Sequence, residues 1–149
     1  VRAYLSSLGK EITRFLTTPG RKVQPLAESS FDAWIKLYRQ DTNSPNSQMS
    51  YYLKGEMVSF LLDLLIRERH GNRRSLDDVM RLMWNQFGAE EVGFTLEQLQ
   101  NVMQSVAGTD LTDFFNHVLH STEELPFDQY LEPFGLRLLA DVDPTVPYL

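Results

Sequence analysis

Apolar side chains recur along this chain at helical rather than alternating spacing. Tyr4, Leu5, Leu8, Ile12, Phe15 and Leu16 fall on one side of an amphipathic helix expected from Arg2 to Phe15, and Thr17-Thr18-Pro19-Gly20 stops it with two strong breakers. A loop from Pro19 to Pro25 follows. Glu28-Ser29-Ser30 then prepares a short helix whose Phe31, Trp34, Ile35 and Tyr38 share a face. The stretch Gln40 to Gln48, rich in Asn and Ser and holding Pro45, reads as an ordered surface loop. From about Ser47 to His70 the pattern predicts one long helix, ended by Gly71 after a last turn that carries Arg67 and Arg69.

The remainder repeats a grammar of cap, apolar periodicity and glycine. Ser75-Leu76-Asp77-Asp78 opens a helix to Phe87, closed by Gly88. Thr95-Leu96-Glu97-Gln98 is a capping-box pattern opening a helix to Ala107, closed by Gly108. Thr109 or Asp110 caps a helix through Leu119, and a short turn of helix carries Phe127, Tyr130 and Leu131 before Pro133 and Gly135. The expected fold is an all-α bundle of about six helices, with a possible short terminal strand over Leu136 to Ala140. Residues 1–140 form the expected domain, and 141–149 a Pro-rich linker.

Within the long helix, Tyr52, Glu56, Ser59, Asp63 and Arg67 share a narrow polar stripe at about 100° per residue. Tyr51 falls about a quarter-turn away with Gly55, Val58, Leu62 and Leu65, and is the better core residue. Apolar residues cover most of the circumference from Met57 onward, so this helix is expected to run through the middle of the domain. A polar stripe there needs a cleft, water or polar partners. Lys54 reads as a solvated charge and Gly55 as a small residue admitting a neighbouring helix.

Composition narrows the partners. Fourteen Lys and Arg against twenty Asp and Glu leave a net charge of −6, which repels phosphate backbones, so no nucleic-acid partner is expected. The longest apolar run is far shorter than the roughly 20 residues of a spanning helix, so no membrane partner is expected either. The chain has no cysteine, which excludes disulfides and thiolate metal sites without fixing a compartment. Because the chain begins at Val1 and Arg2 already reads as mid-domain helix, it is expected to be a fragment.

Many ordered matches carry a family resemblance: Thr18 to Lys36, Tyr38-Arg39, Asn43-Ser44-Pro45-Asn46, Ser50-Tyr51-Tyr52, Leu62-Asp63-Leu64, Ser75 to Met80 with Trp84, Gly93-Phe94-Thr95, Ala107-Gly108 and Glu123-Glu124-Leu125-Pro126. Together they resemble the glycyl-aminopeptidase family of zinc metallopeptidases, of gluzincin type, over almost the whole chain. Tyr52-Leu53-Lys54-Gly55 is similar to the Tyr-x-Lys-Gly element of related aminopeptidases. The resemblance implies a zinc held by a His-Glu-x-x-His helix and a following glutamate. It also implies a PDZ-like domain further on. No His-Glu-x-x-His occurs in this sequence.

The resemblance therefore implies the C-terminal helical part of a peptidase catalytic domain. Zinc belongs to the parent protein and is not expected to bind this chain. A peptide is the substrate, and the chain packs on the N-terminal half of the catalytic domain. Tyr52 is the catalytic candidate, its phenol donating to the carbonyl oxygen as charge builds there. Glu56 and Arg39 are weaker candidates for lining the cleft. His117 and His120 stand three apart without an identified third ligand, and ordinary surface or packing roles are expected for them. His70 reads as a helix C-terminal residue. The alternative is a non-catalytic all-α interaction module of peptidase ancestry. Bared helix faces would also let the chain self-associate.

Overall fold

The computed structural model describes residues 1–141. The linker expected over 141–149 lies, beyond Asp141, outside the described residues. The rest is all-α, as expected. Helix α1 spans Arg2–Thr17, α2 Leu26–Phe31, α3 Ser44–Ser47, α4 Tyr51–Arg69, α5 Leu76–Met83, α6 Leu96–Ala107, α7 Thr112–His120 and α8 Phe127–Leu131. Among the described residues no helix is long and apolar enough to cross a membrane.

Two cores share α4, because apolar side chains leave that helix on nearly every side. One side of it contributes Leu53, Met57, Val58, Leu61 and Leu64 to a core completed by Ile12 and Phe15 of α1 and by Leu26, Met49, Val118, Leu125, Phe127 and Leu131. From its second half, Leu62 and Ile66 pack with Val79, Met83, Val102, Val106, Ala107, Leu111 and Phe115. Fully burying one such side chain contributes about 1.5–3 kcal/mol. The helix is central, as its apolar circumference predicted.

The capping grammar is realised in detail. Ser75 and Asp78 form a capping box at α5, and Thr95 and Gln98 another at α6. Gly108 closes α6 at φ 65°, a left-handed conformation that costs glycine little. Carbonyls at the α6 C-terminus accept from His70 Nε2 (Ala107 O, 3.1 Å) and Arg74 Nη1 (Val106 O, 3.2 Å), so basic side chains meet the negative end of the helix. Asp110, one of the two expected caps, stands one residue ahead of the observed N-cap, Leu111: its carboxylate accepts from Thr112 Oγ1 and Thr112 N, which holds its pKa below the usual range.

Several expectations fail, each for a tertiary reason. Residues 136–141 form no strand, since no second strand lies beside them among the described residues; Leu136 and Leu138 instead pack on the first core. The helix expected to carry Phe31 to Tyr38 lies earlier, at α2, and residues 32–39 form turns that place Lys36 between Glu28 (2.7 Å) and Asp32 (2.8 Å). Ala33 is the buried residue there, whereas Phe31, Trp34, Ile35 and Tyr38 are all exposed. The long helix starts at Tyr51 rather than near Ser47 because Gln48 and the cap residue Ser50 are extended. The helix after Ser75 reaches Phe87 only through a π turn over Trp84–Gly88.

Candidate active site

The extended segment that feeds α4 is held from both sides. Gln24, itself buried, accepts from Met49 N at 2.9 Å, and buried Ser29 donates from Oγ to Met49 O. A Cβ at Gly20 would collide with the Gln48 backbone, so glycine is required where the loop after α1 crosses this segment. Ser50 then caps α4, its Oγ accepting from Leu53 N at 3.4 Å. The Gly20–Ser29 region thus fixes where Tyr51 and Tyr52 enter the helix.

At that entrance three phenols meet. The Tyr38 hydroxyl lies 3.2 Å from that of Tyr51 and 3.2 Å from that of Tyr52. The Tyr51 and Tyr52 rings stand 4.1 Å apart at 31°, and Trp34 lies over Tyr38 at 5.1 Å. Tyr52 is 63% exposed, so its hydroxyl is available to a molecule outside the chain. Hydrogen bonds from Tyr38 and then Tyr51 hold the Tyr52 phenol below the ordinary tyrosine value. Bonds with Tyr38 and then Tyr52 push the Tyr51 phenol up. Either hydroxyl of each pair can donate; in the order Tyr51 to Tyr38 to Tyr52, the Tyr52 O–H is left for a molecule outside the chain. Each bond in such a chain polarises the next.

Tyr52 therefore sits on the polar stripe at the open end of α4, and Tyr51, half-buried, packs on the first core as expected. The rest of the stripe divides. Asp63 Oδ1 accepts from Leu76 N at the start of α5 (2.8 Å), and its Oδ2 pairs with Arg67 (2.6 Å), so those two residues serve the fold. Glu56 lines a shallow groove between α1 and α4 with Tyr4, Glu11 and Phe60, a groove whose walls do not include Tyr52. Arg39 is exposed next to Tyr38 in the chain. On the other side Tyr51 borders an apolar groove of about 450 Å³ whose walls include Leu26, Phe31, Leu96 and Leu119.

Two sequence readings of the Tyr-x-Lys-Gly element are corrected. Lys54 is not solvated: it is 1% exposed, and its Nζ donates to Ser121 O at 3.1 Å. Gly55 admits no neighbouring helix among the described residues, since a Cβ there would meet nothing of theirs within 4 Å. The site residue that sequence reasoning missed is Tyr38, placed on a supposed core face. Its hydroxyl was the available signal, because a tyrosine carries a polar group that seeks a partner.

Among the described residues no group of three or more His, Cys, Asp or Glu side chains is arranged to hold a metal ion. His117 already spends Nε2 on Glu124 O (3.1 Å) and sets Nδ1 3.4 Å from the Glu123 carboxylate, which removes it from a pair with His120. The donor set of a zinc site is not present in these residues.

The helical body built on α4 has counterparts among known proteins. The model of the M61 glycyl aminopeptidase family matches residues 1–58, which include the phenol cluster and the Lys-Gly pair. The crystal structure of an aminopeptidase N family protein from Idiomarina loihiensis superimposes with a TM-score of 0.83 at 35% identity, over 89% of this chain and 23% of that one. This chain thus spans about a quarter of the length of that relative. No curated protein matches it. Both findings support a glycyl-aminopeptidase family assignment for this chain.

Proposed function

We propose that this chain is the helical part of a zinc-dependent aminopeptidase, and that Tyr52 donates a hydrogen bond to the carbonyl oxygen of the peptide bond being hydrolysed. The observation that carries the reading is the Tyr52 hydroxyl, exposed and polarised by Tyr38 at 3.2 Å. In amide hydrolysis negative charge collects on the carbonyl oxygen as it becomes tetrahedral. A phenol already aimed at that position binds the charged oxygen more strongly than the neutral carbonyl, and only that difference accelerates the reaction.

Zinc, which the family resemblance implies, finds no ligand set in the described residues, and no step here passes through it. On this reading the metal-holding residues belong to another part of the protein that carries the chain. The exposed face of Phe31, Trp34 and Ile35 is offered for packing against that part, and the same face would drive self-association of the chain alone. The test is Tyr52→Phe in the full-length protein. Expected is a fall of about 10²–10³ in kcat, the loss typical of one oxyanion donor, with melting behaviour unchanged. Activity within about threefold of the unaltered protein, well inside that loss, would remove Tyr52 from the mechanism.

A second reading, an all-α interaction module that keeps peptidase ancestry without its chemistry, is favoured by the same apolar face. The two part at the gene upstream of Val1. An intact His-Glu-x-x-His supports the peptidase, and an altered one supports the module.

A further inference from the structure

Lys54 is the one ionisable side chain buried outright among the described residues. Burying an ammonium costs free energy unless its donors are satisfied and its charge is compensated. One of its three N–H donors finds a partner in the chain. Ser121, whose carbonyl accepts from Lys54 Nζ at 3.1 Å, is the residue that ends α7. The last carbonyls of a helix lack intrahelical donors and carry the negative end of its dipole. Lys54 therefore caps α7 from α4, across the first core.

The connection after α7 is held in turn. Ser121 Oγ donates to His117 O at 2.8 Å, and Arg21 grips the Glu124 carboxylate through Nε (3.2 Å) and Nη2 (3.0 Å). Burial lowers the Lys54 pKa, and the Glu124 charge partly offsets that. The acceptor of Lys54 is thus fixed by neighbours outside α4.

Lys54 and Tyr52 occupy one turn of α4, about 200° apart around its axis. A side-chain tip about 6 Å from the axis moves about 1 Å when the helix rotates by about 10°. Misplacement on that scale costs up to about 10²-fold in rate. The other polar tie on this turn, the Ser50 cap at 3.4 Å, is long.

We infer that Lys54 is a positioning residue: its bond to the α7 terminus fixes the rotation and height of the first turn of α4, and so keeps the Tyr52 hydroxyl in register with Tyr38. The consequence for rate rests on the proposed role of Tyr52. The consequence for the phenol cluster does not.

The experiment separates them. In the full-length protein Lys54→Met keeps the apolar stem and removes the donor. Expected is a 10- to 100-fold fall in kcat with KM within about twofold, and a Lys54→Met/Tyr52→Phe double variant no slower than Tyr52→Phe alone, since both act through one hydroxyl. Multiplying losses would place Lys54 outside that path and overturn the inference. In parallel, phenolate absorbance of this chain is followed against pH, the most acidic phenol being assigned by its loss in Tyr52→Phe. Lys54→Met should move that phenol up toward the ordinary tyrosine range. An unmoved titration in the folded variant overturns the inference. Lys54→Gln, a shorter neutral donor, serves where the Met variant does not fold, with the same two outcomes. Full activity of Tyr52→Phe would remove the catalytic reading alone and leave Lys54 to be decided by the titration.

Discussion

Tyr52 and Lys54 stand two residues apart in a single helical turn and face opposite worlds. Tyr52 is open to solvent, its hydroxyl meeting that of Tyr38 from a preceding segment and its ring lying beside that of Tyr51. Lys54 points inward, is closed off, and has a helix terminus as its partner. Linear proximity made them look like one chemical motif. On the proposed reading, the helix separates them into a face that offers a proton donor and a face that holds the donor still. The lesson is that a short signature can combine chemistry and scaffolding, and that burial, rather than residue type, tells which is which.

The largest test of this contrast is Tyr52→Phe, expected to cost about 3–4 kcal/mol of transition-state stabilisation while leaving the melting temperature nearly unchanged. The Lys54 face should respond the opposite way, in stability. Lys54→Met leaves the Ser121 carbonyl without a donor and should cost about 1–3 kcal/mol, measured by denaturant unfolding. Were Lys54→Met silent in unfolding, the inner face would not be scaffolding.

The pH dependence sharpens the same division. The folded Lys54 pKa lies below 10.5, so just under that value the unfolded chain binds more protons than the folded one. Stability should rise with pH through that window, and Lys54→Met should flatten the rise. Tyr52 must keep its proton to donate, and its pKa is lowered from 10.0. Peptidase activity should therefore fall as pH rises through that lowered value. Tyr38→Phe removes the main cause of the lowering and should carry the descending limb upward, with a loss of about tenfold in kcat, less than a whole donor is worth. A limb that stays in place would show that Tyr38 does not polarise Tyr52. The smallest expected effect belongs to Gly55. Gly55→Ala meets no atom within 4 Å and should stabilise the chain by about 0.5–1 kcal/mol through helix propensity, seen as a modest rise in melting temperature.

The helices were largely legible because their signals are local. Ser75 with Asp78 and Thr95 with Gln98 cap the helices they open, and Gly108 closes one where the periodicity ends. Tyr52 on the polar stripe and Tyr51 on the apolar side followed from angle alone. The readings that failed all depended on distant chain. Leu136 to Ala140 has strand-like composition, but a strand exists only beside another. Phe31, Trp34 and Ile35 look like a core face by spacing, and nothing among the described residues covers them.

What the sequence determined by itself was the α class, the central place of the Met57 to Ile66 helix, the family resemblance, and the choice of Tyr52 as the phenol at its open end. Periodicity, caps and ordered motifs act over a few residues and survive in the one-dimensional text. Only the tertiary structure decided that Tyr38 completes the phenol cluster and that Lys54 is buried on the end of α7. Those contacts join residues 14 and 67 positions apart, and no local preference of either partner encodes the meeting.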